Sequence, residues 1–164
     1  MDFDEIMELI LNGKQEYPSS QFYNNSLRLP QIYSKIKRLG VELTDALDYG
    51  CGRYFDDYQL ENVKGFDKYS YIKYENLNRH YHEGICSNVL NVIKEREERI
   101  NILKILHSLC DVVYIAVWEG DRSGVGRATQ KDCWQENRVY KAYDDEVREV
   151  FDSVTTKYKM FICK

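Results

Sequence analysis

The chain has 164 residues, of which 43% are hydrophobic and 30% are charged. This length and composition are typical of a single folded domain and exclude both a disordered chain and two full domains. The 27 acidic side chains exceed the 23 basic ones, which gives a formal net charge of -4. That charge disfavours a globally basic nucleic-acid binder, although a local basic patch stays compatible with it.

The sequence carries none of the usual signals for export, membrane insertion or metal binding. Residues 1 to 5 are acidic and lack the basic-then-apolar order of a signal peptide, and no apolar run approaches the roughly 18 residues that cross a bilayer. The five cysteines are scattered and form no Cys-x-x-Cys pair, a pattern typical of reduced thiols. We therefore expect a cytoplasmic protein without a disulfide framework, a membrane partner or a metal site.

Two amphipathic helices are predicted before residue 45. Residues 2 to 12 have acidic side chains in their first turn and an apolar face that includes Ile6 and Ile10. Pro30 opens a second helix, which ends at Gly40. Its other face is basic, and the charges there form either a solvated surface or a patch for an anionic substrate; they are Arg28, Lys35, Lys37 and Arg38.

From residue 46 onward, strand patterns alternate with helix patterns. The predicted strands are residues 46–49, 63–67, 84–88, 111–118 and 155–163, the last of them at an edge of the sheet. The predicted helices begin near residue 54 and cover residues 100–109 and 139–150. The run from Asp111 to Trp118 is continuous and β-branched, as expected for a central strand that is covered on both faces. The alternation predicts a three-layer α/β sandwich with a mostly parallel sheet.

The most informative segment is a buried strand that ends in Asp48 and is followed by Gly50-Cys51-Gly52. Two glycines at this position allow a tight turn with positive φ and a close approach of the backbone to a ligand. Asp67 follows the next strand, 19 residues beyond Asp48. Nucleotide-binding α/β folds place an acid at about this spacing, where it accepts hydrogen bonds from ribose hydroxyls. Both segments lie at the carboxyl ends of adjacent strands, where such sheets bind ligands.

At these residues the sequence resembles the class I S-adenosylmethionine-dependent methyltransferases. The segments from Leu47 to Arg53 and from Gly65 to Asp67 look like the first two motifs of that family. The stretch from Cys86 to Ile93 is more restricted, and it is similar to small methyltransferases found with bacterial DNA phosphorothioation genes and in phage or mobile elements. The resemblance covers roughly residues 45 to 137 and implies a Rossmann-like α/β/α sandwich with an antiparallel C-terminal strand.

The resemblance also implies which residues contact S-adenosylmethionine. The turn from Gly50 to Gly52 would line the methionine moiety, and Asp48 would orient that turn and the amino group of the cofactor. Asp67 would hold the ribose hydroxyls. The complete set of implied cofactor-binding residues is Asp48, Gly50, Cys51, Gly52, Asp67, Lys68, Cys86, Ser87 and Asn88. The stretch from Lys68 to Tyr81 is too short for the third strand of the family, so the core is predicted to be trimmed.

The methyl acceptor is not identified by the sequence. The Asn/Asp-Pro-Pro-Tyr motif of amino-methylating DNA enzymes and the Pro-Cys pair of cytosine C5 methylation are both absent. Glu119 and Asp121 follow the strongest strand and are candidates for a catalytic base or a substrate clamp, with solvated turn residues as the alternative. Trp118 and Trp134 either stack a planar substrate or pack in the core.

We therefore predict a methyltransferase with residues 1–44 as an N-terminal helical arm or lid and residues 45–164 as the cofactor-binding domain. The acceptor would be a small molecule, a protein or a nucleic-acid group, although the net charge does not point to nucleic acid. The alternative is a cofactor-binding module that has lost catalysis and works through a protein partner. A nicotinamide-dependent oxidoreductase would suit the glycine turn and Asp67 but not the stretch from Cys86 to Ile93.

Overall fold

The computed structural model describes residues 1–13, 27–129 and 133–164. Helix α1 (Phe3–Leu11) begins with a capping box, in which Asp2 accepts a hydrogen bond from the backbone of Glu5 and Glu5 accepts one from the backbone of Asp2. Helix α2 (Gln31–Arg38) begins after Pro30, as predicted. None of the helices in the described ranges is long and apolar enough to cross a membrane.

Within the described ranges, six strands form one mixed sheet. In chain order the strands of this sheet are β1 (Ala46–Tyr49), β2 (Val63–Phe66), β3 (Tyr81–Ser87), β4 (Cys110–Ala116), β7 (Val154–Lys157) and β8 (Met160–Cys163). Their spatial order is β2-β1-β3-β4-β8-β7, with β1 to β4 parallel and β8 antiparallel to both of its neighbours. Strands β5 (Arg127–Ala128) and β6 (Trp134–Gln135) form a separate antiparallel pair.

Helices cover both faces of the sheet, so the predicted Rossmann-like three-layer sandwich is confirmed. Helix α1 packs with α3 (Arg96–Leu109) and α4 (Asp144–Val150) on one face, where Ile6, Ile10 and Leu103 are buried in one apolar cluster. Helix α2 covers the other face, where Ile32 and Ile36 join a second cluster. Both helices of the predicted N-terminal arm thus contribute to the core, and the boundary at residue 44 stays a prediction.

The C-terminal end corrects the prediction of one edge strand over residues 155–163. The segment is a hairpin, and its inner strand β8 pairs with β4 while β7 forms the edge. Tyr158 and Lys159 occupy the turn with φ values of 54° and 55°. Two consecutive left-handed residues are the geometry of a tight hairpin turn, which usually contains Asn or Gly. Because neither residue type is present, the sequence pattern hides the turn.

The connection between β1 and β2 corrects a second prediction. Residues 54 to 60 were expected to begin a helix, but only a four-residue 3₁₀ turn forms, from Phe55 to Tyr58. Gln59 ends this turn in the left-handed conformation. The segment has no apolar stripe long enough to cover the sheet, so a helix here would have no face to bury.

The trimmed core predicted from the sequence is confirmed at β2. From residue 67 to residue 80, a stretch described throughout, the chain adds no strand to the sheet. It forms an isolated bridge between Asp67 and Tyr71 and a 3₁₀ turn from Tyr74 to Leu77. Strand β2 is therefore an edge. The side-chain amide of Asn76 donates to the Gly65 carbonyl at 2.9 Å, which satisfies one backbone acceptor of this edge.

A buried guanidinium joins three segments beside the sheet. Arg99 of α3 is 4% exposed and donates two hydrogen bonds to Glu146 of α4, at 2.9 and 2.7 Å. Its third nitrogen donates to Glu136 at 2.7 Å and to the carbonyls of Ile93 and Lys94 at 2.7 and 3.0 Å. The loop after β3, the segment after β6 and α4 therefore converge on one side chain.

Arg99→Met tests the contribution of this cluster. Removing the guanidinium leaves Glu146 buried with Arg138, at 3.3 Å, as its only ion-pair partner among the described residues. We expect the free energy of unfolding to fall by about 3–5 kcal/mol, the usual cost of breaking a buried pair. Arg96→Met is the matched control, because Arg96 also pairs across α3 and α4, with Glu149, but lies in solvent. Chemical denaturation should give a much smaller change for the control, and equal losses would contradict the assignment.

Candidate functional site

A crevice lies at the carboxyl ends of β1, β3 and β4 and consists of two cavities. Cavity I has a volume of about 290 Å³, and its walls come from α2, β1, the turn after β1 and the ends of β3 and β4. Cavity II is smaller, about 50 Å³, and is lined largely by apolar side chains, among them Val89, Ile93 and Ile102. Gly50 and Asn88 line both cavities. The two cavities therefore meet above β1 and β3, where open α/β sheets bind ligands.

The predicted glycine turn lies where the two cavities meet. Gly50 has φ +80° and Gly52 has φ +79°, values that side-chain-bearing residues rarely adopt. The Gly50 and Cys51 amides both donate to the Phe66 carbonyl, at 2.7 and 3.1 Å, which holds the turn against the end of β2. A Cβ atom at Gly50 would lie 2.3 Å from Cγ2 of Val89, which is closer than packed atoms come.

Asp67 fastens this turn to the loop after β2. Its Oδ2 atom accepts a hydrogen bond from the Gly52 amide at 3.1 Å, and its Oδ1 atom accepts from the Tyr69 and Ser70 amides at 2.9 and 3.1 Å. A carboxylate has about four acceptor positions, so one position on Oδ2 is left for a ligand. Asp67 is 5% exposed and lines cavity II. Its carboxylate therefore both shapes the turn and presents one acceptor to the crevice.

Asp48 is the buried acid of cavity I. It is 3% exposed and accepts a hydrogen bond from the hydroxyl of Tyr33, which α2 places against it. Burial raises the pKa of the Asp48 carboxyl to about 7; the bond from Tyr33 opposes this rise, and the nearby charge of Asp67 adds to it. Burial, together with the charge of Asp48, also holds the pKa of the Tyr33 hydroxyl far above its usual value. Asp48 can therefore change its protonation near neutral pH.

The segment after β3 supplies part of the predicted set. Ser87 and Asn88 line cavity I, and Lys68 lines cavity II together with Asn88. Asn88 adopts φ 57°, and its backbone N–H donates to the Ala116 carbonyl at 2.9 Å. This hydrogen bond joins the ends of β3 and β4. Cys86 is fully buried in the apolar core and does not line either cavity. Burial raises the pKa of its thiol well above the usual range, so it stays protonated.

The two candidate bases lie outside the crevice. Glu119 accepts a hydrogen bond from the Tyr140 amide at 2.8 Å and one from the Lys159 ammonium at 3.2 Å. Although burial acts in the opposite direction, these bonds hold the pKa of Glu119 below its usual value. Asp121 accepts from the Ser123 amide at 2.9 Å and faces Arg127 at 3.4 Å. Neither carboxylate lines cavity I or cavity II, and their catalytic role stays a prediction.

Several residues of the crevice carry no motif in the sequence. Lys35 reaches it from α2, Tyr58 from the 3₁₀ turn, and Trp118 from the residues just after β4. Tyr33 of α2 lines neither cavity and acts on the crevice through its hydrogen bond to Asp48. The basic face of α2 was the available signal for Lys35, because a patch for an anionic substrate was one reading of that face. Nothing local marks Tyr33, whose role depends on its contact with Asp48 across the fold. Trp118 is 63% exposed, so of its two predicted roles core packing is excluded.

Comparisons with known proteins find similarity only at the level of structure. No protein-family model matches the chain, and no curated protein matches its sequence. It is similar in structure to magnesium protoporphyrin IX methyltransferase from Synechocystis PCC 6803 with bound SAM, with 14% identity, a TM-score of 0.48 and coverage of 100% of this chain and 98% of that one. An S-adenosylmethionine-dependent methyltransferase from Clostridium acetobutylicum ATCC 824 matches with 13% identity, a TM-score of 0.42 and coverage of 81% and 67%. These similarities assign no activity to this chain.

Gly50→Ala tests the geometry of the turn. The added methyl group combines a left-handed φ with a contact to Val89, and we expect the free energy of unfolding to fall by about 1–3 kcal/mol. Val89→Ala in the Gly50→Ala background removes the Cγ2 atom that the added methyl group would contact. The free energy of unfolding of the double variant should therefore fall by less than the sum of the two single losses. Additive losses in a denaturation cycle would contradict this packing.

The pKa of Asp48 makes stability depend on pH. Because its folded pKa of about 7 lies above the usual value of 3.8, the folded chain binds more protons than the unfolded chain between these values. The free energy of unfolding contributed by this carboxyl should therefore fall as the pH rises from about 4 to about 7. Asp48→Asn should remove that part of the slope, whereas Asp57→Asn, at an exposed position of the 3₁₀ turn, should keep it. An unchanged slope for Asp48→Asn would place the carboxyl in a different electrostatic environment.

Proposed function

We propose that this chain is an S-adenosylmethionine-dependent methyltransferase with an acceptor that is still to be identified. The observation that carries the proposal is the Gly50–Gly52 turn joined to Asp67 at the carboxyl ends of β1 and β2, between an apolar cavity and a polar one. The strand order supports it as well, because β8 runs antiparallel between β4 and β7. The resemblance to the class I methyltransferases implies such an antiparallel C-terminal strand, whereas nicotinamide-binding sheets are mostly parallel.

The residues of the crevice fit the cofactor in three places. Cavity II, at about 50 Å³, is too small to enclose an adenine ring, but its apolar walls, among them Val89 and Ile93, suit one face of the ring. The remaining acceptor position of Asp67 suits one ribose hydroxyl rather than both, because backbone amides use the other three. The methionine end would lie along the Gly50–Gly52 turn in cavity I, with Asp48 beneath it.

The chemistry requires little covalent help from the chain. When bound, the cofactor supplies an electrophilic methyl carbon on a sulfonium. Transfer to the acceptor would form a bond between its nucleophilic atom and that carbon, break the carbon–sulfur bond with its electron pair going to sulfur, and release the acceptor's proton to solvent. The contribution of the chain is to hold the two reactants in line and to exclude water. Asn88 lines both cavities and Ser87 lines cavity I beside it, so both would border the reacting groups.

The narrower expectations remain proposals from the sequence. They are kinship with the small methyltransferases of phage, mobile elements and phosphorothioation gene clusters, a cytoplasmic location, and a protein partner that supplies specificity. Each concerns the surroundings of the protein rather than the crevice.

Isothermal calorimetry with S-adenosylmethionine, S-adenosylhomocysteine and NAD tests the proposal. We expect both sulfur compounds to bind and NAD not to bind. Asp67→Asn should weaken S-adenosylmethionine binding more than tenfold, because an amide nitrogen replaces the acceptor that faces the ribose. Glu61→Gln is the matched control, since this exposed acid lies before the amino end of β2, away from the crevice.

Three outcomes would contradict the proposal or part of it. Binding of NAD without binding of S-adenosylmethionine would refute the function. An affinity unchanged by Asp67→Asn would move the ribose site elsewhere, provided that thermal unfolding shows the variant to be folded. Tight binding without release of S-adenosylhomocysteine, across the acceptors described below, would favour the non-catalytic module.

A further inference from the structure

The end of cavity I near β4 combines a cation with an exposed aromatic side chain, unlike the end near the glycine turn. Lys35 and Trp118 both line the cavity, and Trp118 lies two residues beyond the end of β4. Strands β1 and β4 are two spacings apart in the sheet, which corresponds to about 10 Å. Lys35 lies toward the β4 end, because the charges that act on it come from Glu119 and Lys159. Lys35 is therefore displaced from the turn where the methionine moiety would lie.

Lys35 lacks a countercharge at short range. Glu119 is the nearby acid, but its carboxylate already bonds Lys159 at 3.2 Å and the Tyr140 amide at 2.8 Å, with Arg122 at 3.7 Å. Among the residues that the structure describes, no carboxylate lies within ion-pair distance of Lys35, which is partly buried. Burial and the repulsion from Lys159 lower its pKa. A half-buried cation that faces a cavity and has no acid within ion-pair distance is stabilised when an anion enters.

Trp118 adds a flat apolar surface at the same end. Its side chain is 63% exposed, although large aromatic side chains are usually well covered in a folded domain. Leu29, which is 43% exposed, lines the same cavity from the segment before α2. An exposed indole on a cavity wall offers a stacking face for a planar ligand. The apolar face and the cation thus occur together.

Resting on the proposed function, we infer that the methyl acceptor is a small planar aromatic molecule that carries an anionic group, with its ring against Trp118 and its anion at Lys35. The anionic group is a carboxylate or a phosphate, since an ammonium binds either. A small molecule suits the site better than a polynucleotide, because the chain is net acidic and the cavity holds about 290 Å³.

The test uses the full chain saturated with S-adenosylhomocysteine and titrated by calorimetry. The probes are salicylate, 4-hydroxybenzoate and uridine 5′-monophosphate, and their uncharged counterparts are salicylamide, 4-hydroxybenzamide and uridine. At least one anion should bind, and its counterpart should bind at least about tenfold more weakly, the loss expected for one charge-assisted hydrogen bond. When the chain is given S-adenosylmethionine together with the anion that binds, it should methylate that anion and release S-adenosylhomocysteine.

Two variants locate the contacts. Lys35→Gln should weaken binding of the anion about tenfold and leave the uncharged counterpart unchanged. Lys37→Gln, on the same helix but outside the cavity lining, should change neither. Trp118→Ala should weaken the binding of the anion and of its uncharged counterpart to the same extent, because stacking does not depend on the charge. Thermal unfolding of each variant checks that it is folded.

The outcomes separate this inference from the proposed function. Binding of S-adenosylmethionine without binding of any anionic probe overturns the inference and leaves the function standing. Equal binding of charged and uncharged probes, or a Lys35→Gln variant that binds the anion as the parent chain does, also overturns it. Binding of oligothymidylate without binding of uridine 5′-monophosphate would overturn the inference and assign a polymeric acceptor. Failure of S-adenosylmethionine to bind refutes the function itself.

Discussion

The shape of the crevice depends on one buried cation on the far side of its wall. Arg99 lies in α3 and donates to the carbonyls of Ile93 and Lys94 while it pairs with Glu136 and Glu146. Ile93 belongs to the apolar wall of cavity II, so the charge that joins α3 to α4 also holds the loop after β3 in place. Residues that never touch a ligand can therefore control the pocket against which adenine is proposed to lie.

Polar side chains replace the secondary structure that is missing from this small core. In the described part of the chain, the connection from β1 to β2 forms only a 3₁₀ turn, and no strand extends the sheet beyond β2. Asp67 binds the glycine turn and the following loop through three backbone amides, and Asn76 satisfies the exposed edge of β2 at Gly65. Because these hydrogen bonds fix the backbone, the carboxylate of Asp67 retains only one acceptor position for a ligand. Because the core is small, the carboxylate of Asp67 is used mainly to hold the backbone and has fewer acceptor positions for a ligand.

The sequence predicts those parts of the fold that have a local cause. Strand β1 and the glycine turn follow from a short apolar run and residues that tolerate positive φ, and β4 follows from its β-branched stretch. The C-terminal hairpin could not be recognised, because Tyr158 and Lys159 enter the left-handed region without a Gly or Asn to mark it. In the site, Asp48 was predicted from its motif, whereas its partner Tyr33 lies 15 residues earlier in another element. Such contacts depend on how α2 packs across the sheet.

Helix α2 links the two ends of the crevice. On one turn it presents Tyr33, which donates to Asp48 beside the glycine turn, and Lys35, which faces the β4 end near Trp118. The buried stripe of Ile32 and Ile36 fixes the rotation of this helix on the sheet, since both side chains lie in the second apolar cluster. The positions of Tyr33 and Lys35 are therefore not independent. A rotation that moved Lys35 toward an anion would disturb the hydrogen bond to Asp48, so the side chain of Lys35 rather than the helix must adapt to the ligand.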